Sequence, residues 1–135
     1  MCGRFTLRIT PAEIQDIFDL IREPEWTPRY NIAPTQNVLA VRAEDEGRAP
    51  ALLRWGLIPS WAKDEGIGAR MINARCETVH EKPSYRAAFK RRRCLIVADG
   101  FYEWKRTGGP KQPYHFHFQD NRPFAFAGLW ESWQD

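Results

Sequence analysis

Cys94-Leu95-Ile96-Val97-Ala98-Asp99-Gly100-Phe101-Tyr102-Glu103-Trp104-Lys105 is the stretch of this sequence with the clearest structural signal. Its first five residues form a continuous apolar run with β-branched side chains, which is typical of a buried strand. Asp99-Gly100 ends that strand. Phe101 to Lys105 and Pro113 to Phe118 then indicate a hairpin, and Phe124 to Gly128 indicates the next strand. The second half of the chain is therefore predicted to be antiparallel β.

The first half of the sequence carries one strong helix signal. Thr10 can cap the helix, Pro11 suits its first position and Glu13 completes a capping box. Apolar residues then follow at i, i+3, i+4 and i+7: Ile14, Ile17, Phe18 and Ile21. That spacing predicts one apolar stripe facing a core, in a helix that ends before Pro24.

Weaker signals cover the rest of the first half. Residues 24–34 contain three prolines and are expected to form a mostly non-helical loop. Residues 44–50 indicate a charged turn, and residues 69–78 a loop that passes into a short helix. Ser84 is a candidate cap for a second helix that runs through Phe89. Strands are expected at residues 3–7, 37–41 and 51–58.

Composition sets limits on the class of protein. The 135 residues suffice for one domain with a single core, and no apolar run approaches the ~18 residues of a transmembrane helix. Arg4 and Arg8 interrupt any signal-peptide apolar region, and three cysteines form no disulfide framework. A monomeric cytoplasmic protein is therefore expected, associated with the nucleoid if it is bacterial. The net charge of +3 is compatible with a polyanionic partner without predicting one.

Cys2 acquires an unusual chemical group if Met1 is removed, because one residue then offers a thiol and a primary α-amine. An α-amine has a pKa of ~7.7 to 8.0, so part of it is neutral and nucleophilic at pH 7. Such an aminothiol condenses with an aldehyde to an imine, and its sulfur then closes a five-membered thiazolidine. The alternative interpretation is that Met1 is an ordinary start and Cys2 simply follows it.

Glu103 and Asn73 are further candidates for chemistry, each with a structural alternative. Strand alternation places Glu103 on the face opposite Tyr102 and Trp104, where a desolvated carboxylate could serve as a general acid or base. Glu103 could equally be an edge-strand residue in water. Asn73 could orient an amine or a carbonyl, or it could form a turn.

Other common sites receive little support from the sequence. It contains no Walker loop, GxGxxG or GxSxG pattern, so no nucleotide or other cofactor is expected. The histidines and cysteines lack the paired spacing of a zinc site, and no metal site is expected. Six tryptophans interleaved with arginines could stack on unpaired bases or pack in a core. The basic run at residues 90–93 could contact phosphate or complement a helix end.

Five ordered motifs carry a resemblance to a known family: Cys2-Gly3-Arg4-Phe5, Arg29-Tyr30-Asn31-Ile32-Ala33-Pro34, Trp55-Gly56-Leu57-Ile58-Pro59, Asn73-Ala74-Arg75-Cys76-Glu77-Thr78 and Ala98 to Lys105. The chain resembles the SRAP family of SOS-response-associated peptidases or abasic-site processing proteins. The resemblance implies a single SRAP domain over residues 1–135, of the α+β class, with antiparallel, barrel-like sheets and a few short helices. It also implies recognition of an abasic site in single-stranded DNA.

The resemblance implies a role for each of the three candidate catalytic residues. Cys2 would be the nucleophile that links covalently to the DNA. Asn73 would position the amine of Cys2. Glu103 would act as the acid or base that helps to open the deoxyribose and move protons.

Four more residues are implied to bind DNA. Arg4 and Arg75 would be phosphate ligands beside the lesion, and Asn31 and Trp61 would contact the DNA along its path. A second tryptophan that is common after Trp61 in the family is Ala62 here, which would weaken stacking.

The resemblance is weakest at the C-terminal end of the chain. Family members continue to a catalytic histidine in an H-x-R-M-P-like motif that this sequence lacks, and His115 and His117 lie in the wrong context to replace it. The domain is therefore expected to be C-terminally incomplete and less reactive than a longer form. Four phenylalanines are expected to be exposed and to favour association: Phe116, Phe118, Phe124 and Phe126.

Three functions remain as hypotheses from the sequence. The first is a covalent DNA crosslinker, whose imine intermediate also permits lyase-like β-elimination. The second is a non-covalent binding module for single-stranded or damaged DNA, which needs no free Cys2. The third is a self-processing peptidase, a hydrolase that uses Cys2 as an N-terminal nucleophile.

Overall fold

Two four-stranded antiparallel sheets form the framework of the protein, and the α+β class is confirmed. The computed structural model describes residues 2–134. The predicted removal of Met1 concerns a residue outside that range. Within it, the two sheets face each other and do not close into a barrel. The predicted antiparallel pairing is therefore confirmed, whereas barrel closure is not observed in this range.

The first sheet has the strand order β2-β1-β6-β7, and the second has the order β4-β3-β5-β8. The strands are β1 (Phe5–Leu7), β2 (Arg29–Ile32), β3 (Asn37–Glu44), β4 (Gly47–Arg54), β5 (Arg93–Ala98), β6 (Gly100–Lys105), β7 (Gln112–Phe116) and β8 (Phe124–Leu129). The helices are α1 (Pro11–Phe18), a 3₁₀ helix (Glu65–Arg70) and α2 (Arg86–Arg91).

The strands predicted around residues 94–105 are confirmed. β6 pairs with β7 as a hairpin in which Phe101 lies opposite Phe116. β5 pairs with β8 so that Cys94 lies opposite Gly128. Because β5 and β6 belong to different sheets, the chain crosses from one sheet to the other at Asp99.

Asp99 is the buried carboxylate at this crossing, with 1% of its surface exposed. Its carboxylate accepts the hydroxyl of Thr6 over 2.6 Å and the backbone N–H of Arg8 over 2.7 Å. The guanidinium Nε of Arg8 lies 3.2 Å away and completes an ion pair. These bonds fix β1 against the junction of the two sheets.

His115 extends the Asp99 network onto β7. Its Nε2 lies 3.1 Å from the hydroxyl oxygen of Thr6. Because that hydroxyl gives its proton to Asp99, Nε2 of His115 is the donor in this contact. Burial lowers the pKa of His115, the charges of Arg8 and His117 lower it further, and Asp99 opposes them. The ring is therefore neutral at neutral pH.

The core lies between the two sheets and under α1. It is built from buried apolar side chains of β1, β2, β3, β5 and α1: Phe5, Leu7, Ile14, Ile32, Val38, Leu39, Val41 and Val97. Phe126 packs its ring edge-on against Phe5 at 5.9 Å and against Phe101 at 6.2 Å. Strands from both sheets thus contribute to one apolar cluster.

Helix α1 confirms the predicted start but not the predicted length. The Thr10 side chain accepts the backbone N–H of Glu13, as the capping box requires. Asp19 adopts a left-handed conformation (φ 54°) and ends the helix after Phe18, whereas the predicted stripe extended to Ile21. Ile14 is buried, but Ile17 is 51% exposed and Ile21 lies outside the helix. Phe18 packs against the core, so the four-residue stripe is correct for Ile14 and Phe18 and wrong for Ile17 and Ile21.

Several loop boundaries also differ from the predictions. The proline-rich stretch contains β2, because it supplies the partner of β1. β4 begins inside the predicted charged turn and ends at Arg54, before the expected strand end. Residues 71–80 form turns rather than a short helix. Tyr85 precedes α2 without a side-chain cap, so Ser84 is not the cap.

The predicted exposure of four phenylalanines is correct for two of them. Phe116 is 48% exposed and Phe118 41% exposed. Phe124 and Phe126 are partly buried because their rings pack against each other at 5.3 Å. No helix within residues 2–134 is long and apolar enough to cross a membrane.

We predict that Asp99→Asn destabilises the protein by about 2 kcal/mol, because the new amide would place a donor against the N–H of Arg8. The matched variant Thr6→Val removes the hydroxyl that donates to Asp99 and accepts from His115. At roughly 1 kcal/mol for each lost hydrogen bond, it should cost about 2 kcal/mol. Urea unfolding of both variants measures the difference. Equal midpoints for Asp99→Asn and the unmodified protein would contradict the importance of this network.

Candidate functional site

Cys2 lies partly buried just before β1. Its thiol donates a hydrogen bond to the backbone carbonyl of Arg4 over 3.2 Å. The same carbonyl accepts the backbone N–H of Tyr102 over 2.9 Å. Cys2 is therefore held against β6, the strand that also carries Glu103.

Asn73 contacts Cys2 directly, although 71 positions separate them. Its Nδ2 donates to the backbone carbonyl of Cys2 over 2.7 Å. A side-chain amide can hold a carbonyl in place without adding charge to the site. The contact is with the carbonyl rather than the amine of Cys2, so the predicted positioning of the amine stays a prediction.

Two glycines let the loop that carries Asn73 come close to the preceding loop. Gly56 has a φ of 124°, a conformation that favours glycine. A Cβ at Gly56 would overlap the carbonyl oxygen of Gly68, and a Cβ at Gly68 would lie 2.9 Å from the side chain of Ile58. Gly56 falls within the strand expected at residues 51–58, but in the structure it follows β4, which ends at Arg54.

Two hydrogen bonds then fix the loop before Asn73. The indole N–H of Trp55 donates to the carbonyl of Ile72 over 2.8 Å. The backbone N–H of Leu57 donates to the carbonyl of Met71 over 3.0 Å. Asn73 thus reaches Cys2 from a loop that is anchored to the chain leaving β4.

Glu103 acts on the thiol of Cys2 through its charge. Burial is the main reason why the pKa of Cys2 is raised above that of an ordinary cysteine, and the carboxylate of Glu103 raises this pKa further. The thiol is therefore protonated at neutral pH. The rings of Tyr102 and Trp104 lie 6.2 Å apart on the other face of β6, as strand alternation predicts.

Arg4 and Asn31 form a pair on the surface beside Cys2. The Arg4 guanidinium donates to Oδ1 of Asn31 over 3.2 Å, and both side chains are accessible to solvent. Asn31 lies on β2, whose neighbour Tyr30 accepts the hydroxyl of Tyr102 at its backbone carbonyl over 2.8 Å. Two of the four predicted DNA contacts are therefore adjacent.

Arg75 and Trp61 lie on separate loops. Arg75 is exposed two residues after Asn73, where its carbonyl accepts the backbone N–H of Val79 over 2.9 Å. Trp61 is 59% exposed in the turn that follows Pro59. Both side chains are accessible to a ligand, and their predicted roles stay predictions.

A cavity of about 730 Å³ adjoins Cys2. It is lined by β3, β4, β5 and β8 and by the loops at residues 55–58 and 71–79. Cys2 and Asn73 both line it, and so do Cys76 and Cys94. Burial raises the pKa of Cys94 to about 11, so this thiol is unreactive at neutral pH, whereas Cys76 is exposed.

The histidines lie away from this cavity. His115 lies opposite Tyr102 in the hairpin, on the face of the sheet that Glu103 does not share. Within residues 2–134, no three His, Cys, Asp or Glu side chains are grouped to hold a metal ion.

Comparison with known families places this geometry in context. The sequence model described as "SOS response associated peptidase (SRAP)" matches residues 1–135. The chain belongs to the SRAP family.

Two relatives illustrate the range of SRAP sequences similar to this chain. The abasic site processing protein YoaM of Bacillus subtilis is 49% identical over 98% of this chain and 60% of its own length. The abasic site processing protein HMCES of Xenopus tropicalis is 32% identical over 99% of this chain and 53% of its own length. The chain thus spans a little over half of the length of these relatives.

Solved structures share the fold of this chain. A phage-related protein from Bordetella bronchiseptica aligns with a TM-score of 0.74 at 36% identity, over 95% of this chain and 60% of that one. A protein from Bacteroides thetaiotaomicron aligns with a TM-score of 0.87 at 23% identity, over 99% of this chain and 62% of that one. The second likeness concerns the fold alone.

Sequence reasoning missed some residues of this SRAP site. The anchoring role of Trp55 lies in one of the five ordered motifs, so the motif pointed to the residue but not to its hydrogen bond. Cys76 lies in the motif from Asn73 to Thr78, but the motif gave it no role, and its place in the cavity depends on how the loop folds back. The Asp99 network had no signal beyond a polar residue after an apolar strand.

We predict that Glu103→Gln lowers the pKa of the Cys2 thiol, because the neutral amide removes a negative charge that disfavours the thiolate. Cys2 should then react faster with iodoacetamide between pH 7 and 8. Mass spectrometry of the N-terminal peptide measures the rate, and Cys76 in the same sample is the internal control. An unchanged ratio of Cys2 to Cys76 labelling would show that Glu103 does not act on this thiol.

Proposed function

We propose that this chain processes abasic sites in single-stranded DNA by forming a covalent link through Cys2. The observation that carries the proposal is the hydrogen bond of 2.7 Å from Asn73 to the carbonyl of Cys2, beside the charged Glu103. This arrangement restrains the residue whose amine and thiol would react. The names of YoaM and HMCES, abasic site processing proteins, support the substrate.

The first proposed step needs the amine that Cys2 gains when Met1 is removed. That amine attacks the C1′ aldehyde of the ring-opened deoxyribose, forms a C–N bond and releases water to give an imine. Glu103 is the group we assign to the proton transfers. Its carboxylate takes the proton of the C1′ hydroxyl and gives it to the ring oxygen, and it later takes a proton from the attacking nitrogen and gives it to the departing hydroxyl. Asn73 keeps the residue in one orientation during the attack.

The second proposed step closes the thiazolidine ring. The sulfur of Cys2 bonds to the imine carbon, and the thiol proton passes to the nitrogen. The ring closes only after the imine has formed, so the amine reacts first. The same imine permits β-elimination at the 3′ side, which is the lyase-like branch.

The proposed DNA path runs over the accessible side chains near Cys2. Arg4 and Arg75 contact phosphates, Asn31 supports Arg4, and Trp61 stacks on an unpaired base. The family description also names a peptidase, and cleavage before Cys2 by its own thiol would provide the free amine. A non-covalent DNA-binding module is the alternative that the first experiment separates.

We predict that Cys2→Ala abolishes a heat- and SDS-resistant adduct with abasic single-stranded DNA, because the α-amine of this variant could form only an imine, which hydrolyses on denaturation when no thiol closes the thiazolidine. Cys76→Ala is the matched control, since it removes another thiol from the same cavity. Denaturing gels measure the adduct. An undiminished adduct in Cys2→Ala would refute the aminothiol mechanism, and binding without any adduct in the parent protein would favour the non-covalent module.

We predict that Arg4→Ala and Arg75→Ala each weaken DNA binding across all sequences and reduce the slope of log K against log salt by about 1. Arg22→Ala is the control, because Arg22 is exposed and pairs with Glu44 at 3.7 Å. Fluorescence anisotropy at several salt concentrations measures the slopes. A change in sequence preference with an unchanged slope would contradict the assignment of these residues as phosphate ligands.

A further inference from the structure

The turn that carries Trp61 is tied to a residue far away in the sequence. The turn belongs to no helix or strand, and its internal hydrogen bond runs from the Ala62 N–H to the carbonyl of Pro59 over 3.0 Å. The indole N–H of Trp133 donates to the carbonyl of Ala62 over 2.8 Å. This bond fixes the backbone directly after Trp61.

The segment that presents Trp133 is itself firmly anchored after β8. The backbone N–H of Trp130 donates to the carbonyl of Arg92 over 2.9 Å. The Arg42 guanidinium lies 4.7 Å from the centre of the Trp130 ring. Glu131 forms an ion pair with Arg92 at 2.9 Å, and its side chain is only 9% exposed. Trp133 therefore extends from a rigid base.

We infer that Trp133 is a positioning residue for DNA binding, which acts by holding the turn that presents Trp61 to an unpaired base. The inference rests on the proposed function, in which the DNA passes over Trp61. An exposed ring on an untethered turn would lose conformational freedom when a base stacks on it, and that loss would weaken binding. A tether that orders the turn beforehand removes this cost.

The partly buried state of Trp133 explains why it holds the turn and does not stack on DNA itself. Its ring lines the cavity next to Cys2 while its N–H is used by Ala62. Trp61, in contrast, is among the most exposed large apolar side chains of the described residues. The two tryptophans thus have separate tasks, one structural and one facing the ligand.

The test is a double-mutant cycle of Trp133→Phe and Trp61→Ala, because Phe keeps an aromatic ring but has no N–H. The probe is single-stranded DNA with a tetrahydrofuran residue, which has no aldehyde and so reports non-covalent binding alone. We expect Trp133→Phe to weaken binding about 3- to 10-fold when Trp61 is present, and to have no further effect in Trp61→Ala. Additive losses, or no loss in Trp133→Phe, would overturn the inference.

Trp26→Phe is the matched control for the loss of an indole N–H. The Trp26 N–H donates to the carbonyl of Leu7 over 3.2 Å, in another part of the molecule. Trp26→Phe should change thermal stability without changing DNA affinity. An equal loss of affinity in both variants would mean that lost stability, rather than the position of Trp61, explains the effect.

A second measurement needs no DNA and keeps the inference independent of the crosslinking chemistry. In protein labelled with 5-fluorotryptophan, the ¹⁹F line of Trp61 should broaden or shift in Trp133→Phe and stay unchanged in Trp26→Phe. If Trp133→Phe does not fold, replacing Trp133 by benzothienylalanine keeps the ring shape without the N–H. If the Trp61 line does not change, Trp133 does not hold the turn and the inference is wrong. If the line changes but the protein forms no adduct with abasic DNA, only the proposed function is wrong.

Discussion

The rest of the structure depends on the buried carboxylate of Asp99. A charge at 1% exposure is tolerated only when hydrogen bonds replace its lost water, and Thr6 and Arg8 supply them. Both donors lie at β1, so satisfying the charge also sets the distance between β1 and the junction of β5 and β6. Cys2 and Arg4 directly precede β1. The hydrogen bonds that stabilise the buried charge of Asp99 therefore also fix the positions of Cys2 and Arg4.

One part of the candidate site is held by a β-sheet, and the other part lies on a loop. Cys2 and Glu103 are held by the first sheet, while Asn73 arrives on a loop that two glycines and Trp55 hold in place. In the proposed mechanism, this division would keep the nucleophile fixed while a flexible DNA strand enters.

Local sequence patterns predicted the elements that depend on neighbouring residues. They failed for elements whose position depends on contacts between residues that are distant in the sequence. The strands from Cys94 onward and the Thr10 cap were predicted because alternation and capping are local. β2 was missed because it exists through its pairing with β1, and Ile21 was misplaced because Asp19 ends the helix early. In the site, the five motifs indicated Cys2, Asn73 and Glu103 by resemblance. No pattern could indicate that Asn73 holds a carbonyl, since that bond spans 71 positions.

The contact between Gly56 and Gly68 limits how this sequence can vary during evolution. A methyl group at Gly56 would force the two loops apart, and a methyl group at Gly68 would collide with Ile58. Separating the loops would withdraw Asn73 from Cys2. Two positions that contribute no side chain to the site are therefore needed for the contact between Asn73 and Cys2, and a lineage that keeps this contact would have to keep both glycines.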